Sequence, residues 1–240
     1  MEIHEIVWRD QTIRFELRRK RVRNLNLNLK PDMTVMVSAN ERVPLNVICD
    51  FVKSKASWII KNTVYFSNAQ PEAVQEKEYV SGETFKYLGK QMRLKVIEGT
   101  PENIRYSRGY LKLTVKERFN VKRKSTIVNR WFRERADRVF GDILEKVFSV
   151  IEKYEVKKPE FTIRTMKARW GSCVKDKRII ILNYELIKAP KYCIEYVILH
   201  ELVHFIHRSH NADFYGFMTS LMPDWKERKR VLDEEVIRSL

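Results

Sequence analysis

The run His200-Glu201-Leu202-Val203-His204 constrains this chain more than any other feature. It sets two imidazoles four residues apart in a segment free of glycine and proline. Cys193 to Leu199 before it and Phe205-Ile206 after it are mostly apolar, so the segment is expected to be helical. Residues four apart on a helix lie one above the other on one face. Two rings so placed can each aim a nitrogen at one ion about 2.0–2.1 Å away. Glu201, beside the first ring, can then hold and deprotonate a water in the open position of that metal, which is the arrangement of zinc hydrolases. A core helix with two incidental histidines would leave two imidazoles and a carboxylate in apolar surroundings, in need of other partners.

A catalytic zinc usually takes three protein ligands. Five histidines occur in 240 residues, and His207 and His210 compete for the third place. In an unbroken helix His207 would lie about 10.5 Å along the axis from His200, too far to share an ion. His210 reaches it if the chain turns back, and Arg208-Ser209 is the expected break. Ser209 or Asn211 can cap a following helix that begins near Ala212-Asp213-Phe214. His207 suits the C-terminal end of the first helix, or a place in the cleft as a proton donor. Metal-bound histidines usually give their other N–H to a carboxylate or carbonyl. Asp213 or Glu195 could be such an orienter. Cys173 is a weaker ligand candidate than the histidines.

Size and composition bound the rest. Apolar residues make up 44% of the chain, enough for a proper core. No run approaches the 18 or so apolar residues of a membrane span, and the N-terminus lacks a signal-peptide apolar region. Cys49, Cys173 and Cys193 are scattered and odd in number, so no disulfide framework is expected. A cytoplasmic protein without a membrane partner is the simplest reading. The net charge is +16, and residues 1–158 carry nearly all of the excess. That asymmetry allows contact with nucleic acid or another polyanion through the basic N-terminal region, with Arg18 to Arg23 and Lys122-Arg123-Lys124 as its densest parts.

The patterning divides the chain. Alternating strands are expected at Ile13 to Leu17, Leu25 to Leu29 and Thr34 to Val37, then a helix from Pro44 to Asn62. Pro71 to Lys77 reads as a linker. A second strand set follows, up to Val115. From Val121 to Tyr154 the apolar residues recur at helical spacing. Pro159 precedes a hairpin, with one arm from Thr162 to Trp170, a turn at Lys175-Asp176-Lys177, and the other arm from Ile179 to Leu182. Pro190 starts the metal helix. No internal repeat is evident.

Arg169-Trp170-Gly171-Ser172-Cys173, Leu182-Asn183, Pro190, Tyr196-Val197-Ile198, the His200–His204 run and His210 resemble the YgjP-like metallopeptidase family. Phe85-Lys86-Tyr87-Leu88-Gly89 and the early strands resemble its N-terminal half. The likeness covers most of the chain and is strongest over residues 165–225. The family is similar to SprT-like and other compact zincins. The resemblance implies zinc held by His200, His204 and His210, with Glu201 as the catalytic carboxylate. Where the family usually has Asn-His-Ser, this chain has Ser209-His210-Asn211.

The expected fold class is therefore α+β. Residues 1–118 form a small β-rich region with one helix. Residues 119–240 form a compact zincin-like domain of helix, hairpin and metal helix. The expected function is zinc-dependent hydrolysis, foremost of a peptide or protein substrate by a metal-activated water with Glu201 as general base. The resemblance also brings in a nucleotide as substrate, by nucleoside triphosphate pyrophosphohydrolysis at the same site. A nucleic-acid-associated zinc protein is the third reading. Arg169, Trp170, Tyr184, Tyr192 and His207 are candidates for substrate or oxyanion contacts.

Overall fold

A computed structural model describes residues 2–29, 33–60, 63, 77–166 and 169–233. The fold is mixed α+β. It divides into two compact units, Met1–Ala73 and Val74–Leu240. The division falls well before the expected 118/119 boundary. Most of the expected linker, Pro71 to Lys77, lies outside the described residues.

The first unit holds strands β1 (Glu2–Trp8), β2 (Gln11–Arg19), β3 (Asn26–Leu29) and β4 (Val35–Ala39), in the sheet order β1-β2-β4-β3. Helix α1 (Leu45–Ser54) turns Ile48 and Val52 into the core, which they share with Phe15, Leu17 and Val37 of the sheet. Part of the basic run around Arg19 is structural. Its guanidinium donates to the carbonyls of Asn40 and Val43, at 3.0 and 2.6 Å.

The second unit opens with strands β5 (Thr84–Tyr87), β6 (Lys90–Glu98), β7 (Asn103–Ser107) and β8 (Tyr110–Val115), in the order β5-β6-β8-β7. Each sheet has one parallel pair, β2 with β4 and β6 with β8, flanked by antiparallel neighbours. Each is followed by a helix that buries its apolar side. The two units thus repeat one topology, although their sequences share no visible repeat.

The physical reason for the early division is the core of the second unit. Met92, Leu94, Val96, Leu111, Leu113 and Val115 from the sheet share one cluster with Ile127, Phe132 and Phe140 of the 31-residue helix α2 (Val121–Ile151). Burying each such large side chain contributes about 1.5–3 kcal/mol. The sheet belongs with the helices that follow it. Asn120 caps α2, accepting from the Arg123 amide at 2.9 Å.

Beyond α2 lie β9 (Glu160–Arg164), β10 (Gly171–Val174) and β11 (Ile179–Asn183). The expected hairpin keeps its turn and second arm, but its first arm is different. Its first arm is β10, joined to β11 through the turn at Lys175–Lys177, whereas the stretch from Thr162 belongs to β9, which runs parallel to β11. The sheet order β10-β11-β9 leaves β10 as an edge strand. Then come α3 (Lys191–Val203), α4 (Ala212–Leu221) and α5 (Trp225–Val231). No helix among the described residues is long and apolar enough to cross a membrane.

One contact ties the four-stranded sheet to α3. The β5–β6 turn donates its Leu88 and Gly89 amides to the carbonyls of Ile187 and Lys188, both at 2.9 Å. Gly89 has φ +78°, and a Cβ there would lie 2.8 Å from Cγ of Pro190, the residue that opens α3. Gly89→Ala is therefore expected to destabilise the protein by about 2–5 kcal/mol, the sum of left-handed backbone strain and overpacking. Thermal unfolding checks this, and an unchanged midpoint would contradict the contact.

Candidate metal centre and cleft

Helix α3 is buried on nearly every side, from Cys193 to Val203. It does not run on through Ile206. Val203 is its last residue and His204 its C-cap. The chain then tightens into i→i+3 bonds, with the Phe205 and Ile206 amides reaching the Leu202 and Val203 carbonyls at 3.0 Å. The break thus comes at His204, four residues before the expected Arg208-Ser209. Asn211 then caps α4, its side chain accepting from the Phe214 amide at 3.0 Å.

This turn brings His210 back onto the end of α3. One nitrogen from each of His200, His204 and His210 falls within 4.8 Å of the others. The Nε2 atoms of His200 and His210 are 2.8 Å apart. All three pKa values are lowered. His200 is pushed down to about 3, by burial first and then by its two partner rings. Burial leads for His204 and His210 as well. The rings are therefore neutral near pH 7, the state in which imidazole binds a metal. His204 Nδ1 lies 3.2 Å from the His207 carbonyl, which can only accept, so Nδ1 carries the proton and Nε2 is free to act as donor atom.

Aromatic rings surround the cluster. Phe214 lies with its centroid 5.0, 4.8 and 4.7 Å from those of His200, His204 and His210. Tyr215 stacks on both His210 and Trp225, and Tyr196 also stacks on Trp225. Glu201 is 6% exposed and faces β10. A Cβ on Gly171 would sit 2.7 Å from its Oε1. Burial pushes the Glu201 carboxyl up to about 7, against the opposing pull of the Arg169 charge and the Cys173 backbone amide. A cleft of about 920 Å³ opens over these groups, with Arg169 to Asp176 along one side.

The candidates named from the sequence part ways here. Arg169 and Trp170 line the cleft. Tyr184 does not. Its hydroxyl donates to the Asn129 carbonyl at 3.5 Å, and Arg133 lies over its ring. Tyr192 is likewise outside the cleft lining. The His207 ring packs on Phe217, 5.3 Å between centroids, and only its carbonyl serves the cluster. Asp213 sits exposed in the first turn of α4 and accepts from the Asn211 amide group, away from the rings. Cys173 lines the cleft but is not part of the histidine cluster. Phe214, Tyr215 and Tyr196 were not legible as site residues. The aromatic pair four and five positions after His210 was the available signal.

The family model for the YgjP-like metallopeptidase domain matches residues 23–235. The chain belongs to the YgjP-like family. It is thereby a metallopeptidase-family protein, and a metal ion goes with that family. No curated protein matches the chain. Among solved structures, it is similar to the metallopeptidase zymogen abylysin of Pyrococcus abyssi, with 19% identity, 39% of this chain and 91% of that one covered, and a TM-score of 0.35. The zymogen jannalysin of Methanocaldococcus jannaschii gives 19% identity, coverage of 40% and 88%, and a TM-score of 0.34.

Glu195, also considered as a histidine orienter, does different work. It accepts from Lys146 of α2 at 2.6 Å and from Arg228 of α5 at 2.8 Å, clamping α3 between them. Burial alone would raise its pKa, but these two hydrogen bonds outweigh it and hold the carboxyl below its usual value of 4.5. A depressed folded pKa means stabilisation that is present above the unfolded value and lost as pH falls through the folded one. In metal-free protein, Glu195→Gln should therefore be less stable than the parent near neutral pH, and the gap should close as pH falls from that usual value through the lower folded one. Urea unfolding across pH tests this, and a gap independent of pH would exclude the clamp.

Proposed function

We propose that this chain hydrolyses peptide bonds, with zinc held by His200, His204 and His210 and Glu201 as the general base. The observation that carries the reading is the meeting of three neutral imidazoles within 4.8 Å, beside a buried carboxylate on a cleft. The donor set fits the metal. It consists of nitrogens only, which suits zinc, and His204 has its second nitrogen already tied to a carbonyl. A zinc ion supplies Lewis acidity, making water more acidic and a carbonyl more electrophilic.

The chain's own groups then have definable roles. Glu201, with its pKa pushed up to about 7, can take a proton from water and return it to the leaving amine near neutral pH. Gly171 and the Cys173 amide fix where that carboxylate sits. Arg169, on the cleft wall and electrostatically coupled to Glu201, is the favoured contact for the developing oxyanion. Trp170 is the neighbouring wall for substrate. The edge strand β10, whose Cys173 amide is already taken by Glu201, has no other strand on that side among the described residues, and its remaining outward backbone groups can pair with an extended peptide, which binds chain without selecting strongly among side chains.

His204→Ala should lose metal and activity together. Glu201→Gln should keep the metal, read by elemental analysis, and lose about 10²–10⁴-fold in turnover. Full activity in Glu201→Gln would remove it as the base. Gly171→Ala should also keep the metal, but it should lower turnover by about 10²-fold by moving the carboxylate. Activity is read on an unfolded protein and on nucleoside triphosphates in parallel. Pyrophosphate release without peptide cleavage would overturn the peptidase reading.

A further inference from the structure

The sheet β5-β6-β8-β7 buries one face against α2 and leaves the other to solvent. On the solvent face, register places Lys95 of β6, Lys112 of β8 and Arg105 of β7 directly opposite one another. Two residues along, Arg93 stands opposite Tyr110. Lys86 of β5 lies on the same face, opposite Gln91. The other side chains of this face are neutral. Neighbouring strands lie about 4.8 Å apart, so the cross-strand row sets three cations within about 10 Å. Like charges directly opposite destabilise a sheet. None of these cations is in an ion pair among the described residues.

The first sheet is an internal control, because it has the same topology. Its outer face carries both signs. Glu5 stands opposite Arg14 and pairs with it at 2.7 Å, and Glu16 follows on the same strand. The topology therefore does not require a face of one sign.

We infer that the solvent face of the second sheet binds single-stranded nucleic acid, with Arg93, Lys95, Arg105 and Lys112 on phosphates and Tyr110 stacking on a base. The charge calls for a polyanion. Tyr110, 44% exposed beside Arg93, favours a strand with open bases over an acidic polypeptide, since every base offers a flat face to a ring. The proposal is independent of the peptidase reading, as none of these residues lines the cleft.

The test is fluorescence anisotropy of the full chain, loaded with zinc, on labelled oligo(dT) and oligo(U). Four phosphate contacts predict a log–log salt slope of about −2.8. Lys95→Gln with Lys112→Gln should flatten it by about 1.4. Tyr110→Ala should weaken binding about fivefold to a hundredfold. The thymine and uracil arms tell which nucleic acid is preferred. Thermal unfolding and metal content confirm that each variant is folded. Arg21→Gln with Arg23→Gln, in the other unit, should leave the affinity unchanged. No binding at low salt would overturn the proposal, as would equal competition by polyglutamate, tighter binding to duplex, or loss confined to the Arg21 and Arg23 variant.

Discussion

Three imidazoles can share one point in this protein because α3 stops at Val203. Had the helix run on, His210 would lie about 15 Å along the axis from His200. Instead their Nε2 atoms are 2.8 Å apart. The same turn hands the His207 carbonyl to His204 Nδ1 and lets Asn211 start a new helix. That helix brings Phe214 against all three rings. A single helix end thus creates the donor set, orients one of its members and supplies its apolar support.

Such a cluster opposes folding on its own. Neutral rings and a carboxylate lose hydration when buried, and each needs a partner to offset the loss. Glu201 receives the Cys173 amide and the field of Arg169. Elsewhere α3 is fixed along its length. The Gly89 turn holds its entry at Pro190, and Glu195 bridges it to α2 and α5 midway. Neither hold lines the cleft. They secure the helix at its start and middle, and the site takes up the stretch from Tyr196 onward. The precision of the cluster thus depends on contacts that no motif contains.

Much of this was legible in the sequence, for a physical reason. Histidines four apart in an apolar run have few other uses, and a third donor ten residues on forces a turn between them. Spacing alone points to His200, Glu201 and His204, whereas His210 is preferred over His207 only on the expectation that the chain turns back after the helix. Where the turn falls is not legible, because Phe205 and Ile206 continue the apolar pattern past the helix end. Tyr184 and His207 were plausible contacts by type, but their rings follow packing against Arg133 and Phe217, which no local pattern encodes. The turn and second arm of the hairpin are legible, but its first arm is not, because Thr162 to Trp170 covers the end of β9 and stops just before β10. Only long-range pairing shows that β9 joins β11 in parallel.

The repeated topology went unread for a related reason. A sheet that packs against one helix needs only alternation on its inner face, and many sequences satisfy that. The inner faces of the two sheets obey the same rule with different residues: Phe15, Leu17 and Val37 in one, Leu94, Leu111 and Leu113 in the other. Their outer faces are free of that rule. Packing cannot explain why one is mixed in sign and the other carries only positive charges. Where two copies of a topology solve the same folding problem, the features in which they differ are the ones that folding left to other uses.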